Sequence, residues 1–328
     1  MAAMSALALV ATVAIGCGDT GEKSGGGGGG GGGDGKFNRP VTMVIPFGPG
    51  VGSDKAGRLA SPIIEKGVGV QIPVINVPGA TGNTGMTKML QSRPGESIAI
   101  MPADTLATIV AGTSSFKLDE IKPICRLSSA PSYLWVNTKG KYKDWDALSK
   151  AAEEEPGKIT VATVGKGGID DIMLGALAQK GFEFRAVPFA EGGERKGAVL
   201  SGDADVIYEQ AGDVKENVEA KQFAPVLMFG DEKVEGVEGD FVLSSELGIT
   251  DVVDQWRGLF ASAEMPDAQA KTLSDACAKV PEDPKFAKFG KDNNEFEDTF
   301  MDQTEYQQFI QDEVKKMKSL GTKYGVFK

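Results

Sequence analysis

The sequence contains no histidine in its 328 residues. Without an imidazole, Ser-His-Asp and Cys-His nucleophile arrangements are excluded, and most catalytic zinc sites lose a ligand. Cysteine is nearly absent too: Cys17, Cys125 and Cys277, with no C-x-x-C spacing. No metal site is expected from that pattern. Cys125 and Cys277 read as buried thiols, the usual state of a free cysteine. A Cys125–Cys277 disulfide is the second reading, open to an exported chain. There is no Lys/Arg-rich run, and 46 acidic residues against 35 basic ones give a net charge of −11. An acidic surface repels phosphate backbones, so a nucleic-acid partner is not expected. Local backbone dipoles still bind a carboxylate whatever the global charge. After Gly35 no apolar run is long enough to span a bilayer, so the chain itself forms no channel.

What is present begins with an apolar run, Ala6 to Ile15, ending in Ala14-Ile15-Gly16-Cys17. The run fits a signal-peptide hydrophobic region, and small residues before a cysteine resemble a lipobox. Residues 1–17 are expected to be a lipoprotein signal segment, with Cys17 as the lipidated residue. Nine consecutive glycines, Gly25 to Gly33, follow. Glycine buries no side chain and loses much entropy on ordering, so 18–36 reads as a flexible tether. Its reach is roughly 25 Å for about twenty residues.

Beyond the tether, 41% hydrophobic and 25% charged residues describe an ordinary globular mix, long enough for two lobes. Short apolar runs alternate with amphipathic stretches at helical spacing. Strands are predicted at Val41–Ile45, Val70–Val77, Ser97–Met101, Ile159–Val164, Phe184–Phe189, Ala204–Tyr208 and Ala224–Phe229. Helices are predicted over Asp144–Glu155, Ile169–Gln179, Gly192–Ser201, Asp267–Val280 and Gln303–Leu320. That alternation predicts an α/β fold with mostly parallel sheets.

Three times a strand feeds a glycine loop that opens a helix: Pro46 to Gly52, Pro78 to Gly85, and Val164 to Gly168. The first amides of a helix lack internal partners and carry partial positive charge, so such loops bind carboxylate or phosphate without a basic side chain. The G-x-G-x-x-G fingerprint fails at the first loop, since the sixth position is Ser53 or Lys55. The second loop is spaced G-x-x-G-x-x-G, and no G-x-x-x-x-G-K-[ST] occurs. A nucleotide-dependent enzyme is therefore disfavoured. Asp54, Asp170 and Asp171 fall in first helical turns, where dipole complementarity accounts for them. Asp104 reads either as a loop cap or as an amine acceptor, and Trp256 and Phe260 as hinge or core packing.

Pro46-Phe47-Gly48-Pro49-Gly50-Val51-Gly52-Ser53-Asp54 and Asn76-Val77-Pro78-Gly79-Ala80-Thr81-Gly82-Asn83-Thr84-Gly85 resemble the paired loops of the tripartite tricarboxylate transporter substrate-binding proteins, the Bug or TctC-like receptors. Val187-Pro188-Phe189, Gly202-Asp203-Ala204-Asp205-Val206 and Trp256-Arg257-Gly258-Leu259-Phe260 continue the match. The resemblance implies a two-lobed, type II periplasmic-binding-protein-like fold, with 37–130 plus 229–328 as lobe 1 and 131–228 as lobe 2. It implies a non-enzymatic extracytoplasmic receptor, without cofactor, that binds a small carboxylate and delivers it to membrane permease subunits. A monomer is expected. The alternative is a lipoprotein that presents its ligand to a membrane sensor. One carboxylate end is expected on Gly50, Gly52 and Ser53 with Ala80, Thr81, Gly82 and Asn83. The loop with Ala103, Asp104 and Thr105 should line the same wall. Gly165, Lys166, Gly167 and Gly168 should meet the other end, with Lys166 as a counter-charge. Where the family carries Tyr-Lys-Gly, this chain has Phe189-Ala190-Glu191, which removes a phenol and a basic contact.

Overall fold

The computed structural model describes residues 35–327. The signal segment 1–17 with Cys17, and all but the last two residues of the tether, lie outside them. In chain order the strands are β1 (Thr42–Ile45), β2 (Val74–Asn76), β3 (Ser97–Pro102), β4 (Ile121–Ala130), β5 (Tyr133–Asn137), β6 (Thr160–Thr163), β7 (Arg185–Pro188), β8 (Val206–Glu209), β9 (Phe223–Met228), β10 (Val242–Leu243) and β11 (Gln255–Ser262). The α-helices are α1 (Gly52–Val68), α2 (Asn83–Leu90), α3 (Ala103–Val110), α4 (Trp145–Glu154), α5 (Ile169–Ala178), α6 (Gly192–Ser201), α7 (Ala211–Glu219), α8 (Asp267–Cys277), α9 (Pro284–Asp292) and α10 (Gln303–Lys323).

They form two lobes, each around one sheet. The first sheet has the order β2-β1-β3-β11-β4 and the second β10-β9-β5-β8-β6-β7. Both are mixed. The β1–β2, β1–β3, β6–β7, β6–β8 and β9–β10 pairings are parallel. The antiparallel pairings all involve β4, β5, β9 or β11, around the strands where the chain changes lobe. The chain leaves the first sheet after Ala130 and enters the second at Tyr133. Its return falls between Leu243 and Gln255, because Val242–Leu243 pairs with Leu227–Met228. The second sheet thus extends past Met228, where sequence reading ended lobe 2.

Central strands are buried and mostly apolar because helices cover both faces. β3 and β6 are buried at every position, and β11 at all but its last. One core cluster lies between the first sheet and α1, α8 and α9. A second lies against α6 and α7 under the second sheet. A third runs through α3, α5 and α10 and is shared by both lobes. Trp256 and Phe260 belong to that shared core: Trp256 meets Tyr306 of α10 edge-on at 5.9 Å, and Phe260 meets it at 5.3 Å. Cys125 in β4 and Cys277 in α8 form a disulfide, with Cα atoms 6.5 Å apart. Both are fully buried, and the reading as free thiols is corrected: long-range packing brings together two residues 152 positions apart. The segment after β3, read as a loop, is helix α3. The strand expected at Val70–Val77 shrinks to Val74–Asn76, because Pro73 offers no N–H to the ladder.

Candidate functional site

The first glycine loop delivers the chain from β1 into α1. Asp54 fixes its shape by accepting from Gly50 N–H at 3.0 Å, Arg58 Nε at 2.9 Å and Asn76 Nδ2 at 2.8 Å. Burial opposes its charge, but those bonds outweigh it and hold the carboxyl below its ordinary range. Asp54 is therefore the first-turn brace expected of it. Gly52 and Ser53 open the helix, where intrahelical bonds do not reach their N–H groups. Neither amide, nor the Ser53 hydroxyl, has a partner among the described residues. The helix thus keeps an anion-binding end.

The second loop keeps four successive residues left-handed: Gly79 (φ 129°), Ala80 (φ 50°), Thr81 (φ 53°) and Gly82 (φ 86°). Two of them carry a Cβ, a conformation that costs about 1–3 kcal/mol each and persists only where surroundings enforce it. The surroundings are Thr105 Oγ1, donating to Thr81 O at 3.0 Å, and Asn83 Nδ2, donating to Ala80 O at 2.8 Å. Ala103, fully buried, starts α3 and so carries Asp104 and Thr105 to this wall. Thr105 and Asn83 are thus braces of the loop, and Asn83 is further bound to Thr108, Ser114 and Ser115.

The third loop faces the second so closely that a Cβ on Gly165 would collide with Thr81 Oγ1. Three amides in and beside it are taken by the protein's own carboxylates. Val164 N–H donates to Asp170 Oδ2 and Gly167 N–H to Asp171 Oδ2, each at 2.7 Å. Ile169 N–H donates at 3.0 Å to Asp104 Oδ1, which comes from the other lobe. An internal carboxylate thus caps the helix end at which the distal part of a ligand was expected. Burial raises the pKa of Asp104, and burial together with Asp104 and Asp171 holds that of Asp170 well above the ordinary range. Gly168 packs against Asp170 and Asp104, while Lys166 is exposed.

Between the lobes lies a small cavity of ≈ 30 Å³. Of the residues singled out in the sequence, Gly52, Ser53 and Asp104 line it. Gly50, Ala80, Thr81, Gly82, Asn83, Ala103 and Thr105 are not part of its lining, and neither are Gly165, Lys166, Gly167 and Gly168. Sequence reading missed the rest of the polar lining: Arg195, Glu209, Gln210, Asp213, Gln255 and Arg257. Arg195 Nε donates to Glu209 Oε1 at 2.7 Å, and both side chains are buried. Burial opposes the Arg195 charge, but Glu209 outweighs it and raises the guanidinium's pKa. Arg257 bridges the lobes, with Nη1 on Glu295 at 2.9 Å and Nη2 near Asp213 at 3.5 Å. Gln255 Nε2 donates to Asp104 Oδ2 at 2.5 Å. The available signal was a polar residue at the end of an apolar strand: Glu209 closes Val206-Ile207-Tyr208, and Arg257 interrupts an apolar run in β11.

Drug-sized ligands occupy pockets of about 300–1,000 Å³. A cavity of ≈ 30 Å³ is a contracted cleft, so ligand admission requires the lobes to part. Lys55 Nζ donating to Gly212 O at 3.3 Å, the Arg257–Asp213 pair and the Asp104–Ile169 bond all cross it. A larger groove of ≈ 1060 Å³ between 232–236 and 281–300 holds none of the loop residues. Among the described residues, no group of three His, Cys, Asp or Glu side chains could hold a metal.

Two α/β lobes closing on a polar cavity beside the connecting strands define the periplasmic-binding-protein fold. Solved structures of that class match nearly the whole chain. The periplasmic binding protein BugD has a TM-score of 0.79 at 20% identity, covering 89% of this chain and 99% of its own. MatC of Rhodopseudomonas palustris with bound malate has a TM-score of 0.77 at 21% identity, covering 86% and 99%. An R. palustris protein with adipate has a TM-score of 0.76 at 16% identity, covering 88% and 98%. Residues 57–326 match the model of the tripartite tricarboxylate transporter family receptor, TctC, and the chain belongs to that family. Among curated proteins it is 21% identical to a UPF0065 protein of Bordetella pertussis, covering 85% of this chain and 87% of that one.

Proposed function

We propose that this protein is an extracytoplasmic receptor that captures a small organic acid between its lobes and delivers it to the permease subunits of a tripartite tricarboxylate-type transporter. The observation that carries the reading is the end of α1. Gly52 and Ser53 bring unpartnered amides and a hydroxyl to a buried interlobe cavity, with Arg257 packed against them. Such a helix end holds a carboxylate without a covalent step. Closure would strip water from the ligand and strengthen each bond to it. Malate in MatC and adipate in its R. palustris relative support an organic acid as the ligand class. We take a lipid on Cys17, at the end of the apolar N-terminal run, to attach the receptor to the membrane. We take the receptor to work as a monomer.

Thermal melting of the full-length protein against mono-, di- and tricarboxylates, with nucleotides and sugars as controls, tests the reading. A ligand at about a hundred times its Kd adds roughly 2.7 kcal/mol to stability. An upward shift with one carboxylate class is expected. A shift with a nucleotide or sugar, and with no carboxylate, would reject it.

A further inference from the structure

The cavity carries more negative charge than a receptor for a simple di- or tricarboxylate should. Two guanidinium groups, Arg195 and Arg257, face three lining carboxylates, Asp104, Glu209 and Asp213. Both cations are already matched: Arg195 by Glu209, and Arg257 by Glu295 and Asp213. Asp104 has no cationic partner within ion-pair distance and bonds only to Ile169 N–H and the Gln255 amide. Elsewhere in the cleft the Glu191 carboxylate lies against Gly48 of the first loop. A dianion entering this space would be desolvated beside an excess of like charge, the arrangement that most raises the cost of burying ions.

Two of the unpartnered atoms point the same way, and Tyr208 Oη, which also lines the cavity without a partner, can donate or accept. Gln255 Oε1 and Asp213 Oδ1 are buried acceptors with no hydrogen bond. Gln255 is 6% exposed, and both residues line the cavity. In the structure Gln255 turns its Nε2 to Asp104 Oδ2, which leaves Oε1 as an acceptor toward the cavity lining. A carboxylate group supplies no donor to either atom and a hydroxyl supplies one, so of the common substituents of a small organic acid only an ammonium, with three N–H donors, serves both acceptors and brings the opposite charge. The opposite requirement is met nearby: Gly52 N–H, Ser53 N–H and the unpaired Arg257 Nε–H are donors suited to a carboxylate.

We propose that Gln255 and Asp213 form an ammonium subsite beside the carboxylate-binding end of α1, so that the ligand is an amino-bearing carboxylate, a zwitterion. This rests on the receptor reading above and narrows it.

Isothermal titration of the full-length protein at neutral pH, with amino acids and their deaminated analogues as matched pairs, tests it. Suitable pairs are glutamate with glutarate, alanine with propionate, leucine with 4-methylpentanoate, and phenylalanine with 3-phenylpropionate. At least one amino member should bind a hundredfold or more tighter than its partner. Asp213→Asn should cut that preference at least tenfold, with a melting curve to show that the variant folds. The wild-type comparison decides by itself if the variant does not fold. Deaminated members binding as tightly as, or tighter than, the amino acids would overturn the subsite, water then satisfying Gln255 and Asp213, and would leave the receptor reading standing. Binding by no carboxylate of either kind would overturn both.

Discussion

Alanine at Gly52 puts a single methyl group where the structure has no room for one. A Cβ there would stand 2.5 Å from Arg257 Cζ and 2.8 Å from Nε, with Nη2 closer still. Ordinary contact between such atoms begins near about 3.5 Å, so the guanidinium must retreat by about 1 Å. Arg257 is 3% exposed and cannot move its charge into water. Its 3.5 Å contact with Asp213 would then be lost and its 2.9 Å bond to Glu295 strained. Breaking a buried ion pair costs about 3–5 kcal/mol, and with one of two contacts surviving, about 2–3 kcal/mol is expected. For a domain of this size that lowers the melting temperature by about 4–6 °C. The methyl also crowds the free amides of the helix end, so ligand affinity should fall at least a hundredfold, about 2.7 kcal/mol. Urea titration measures the first effect and calorimetric binding the second. Placing Gly52→Ala in an Arg257→Leu background removes the group the methyl displaces, so the two stability losses should be strongly non-additive. A Gly52→Ala protein with wild-type stability and affinity, or losses that simply add, would refute the reasoning.

Gly165→Ala would set a methyl against Thr81 Oγ1 across the cleft. It should weaken ligand binding about tenfold or more and raise the radius of gyration in small-angle scattering, while the melting temperature stays near wild type; an unchanged radius and affinity would count against it. Removing the Cys125–Cys277 disulfide by paired serine substitution should cost about 2–5 kcal/mol in a denaturant titration, because it frees a long loop in the unfolded chain. Stability should also fall as pH rises from 5 to 8. Burial, only partly offset by Arg257, pushes Glu295 up to about 7 from its ordinary 4.5, and burial pushes Asp254 up to about 6 from 3.8. Below the ordinary values the folded and unfolded forms are equally protonated. Between the two values the folded form holds the extra proton, so stability drains away with rising pH and is lost once pH passes the folded value, by about 3 kcal/mol for Glu295. Denaturant titrations across that range check the slope, and Glu295→Gln should flatten it.

The α/β alternation and the helix-opening loops were legible because they are local properties. Apolar runs set strands, glycine and proline set turns, and Asp54, Asp170 and Asp171 reveal first turns by their position alone. Those signals placed β1, β3, β6, α4, α5, α6 and α10 within a few residues of where they lie. The sequence was least informative where elements depend on partners. β4 and β11 owe their burial to each other, and α10 is seated by Trp256 and Phe260 from β11. The lobe return near residue 250 follows from the β9–β10 pairing, which no local pattern announces.

The cleft divides in the same way. The chain by itself determined that Gly52 and Ser53 would end a helix with free amides, since that follows from backbone geometry over a few residues. Only the tertiary structure decided what faces them. It took Asp104 from one lobe to cap a helix of the other, and it gathered Arg195, Glu209, Asp213, Gln255 and Arg257 from four separate strands and helices around one cavity. The physical reason is range. A helix end is made by neighbours in sequence, but the charge and hydrogen-bonding balance of a buried cavity depends on groups distant along the chain, whose effects are strong only once folding has removed the water between them.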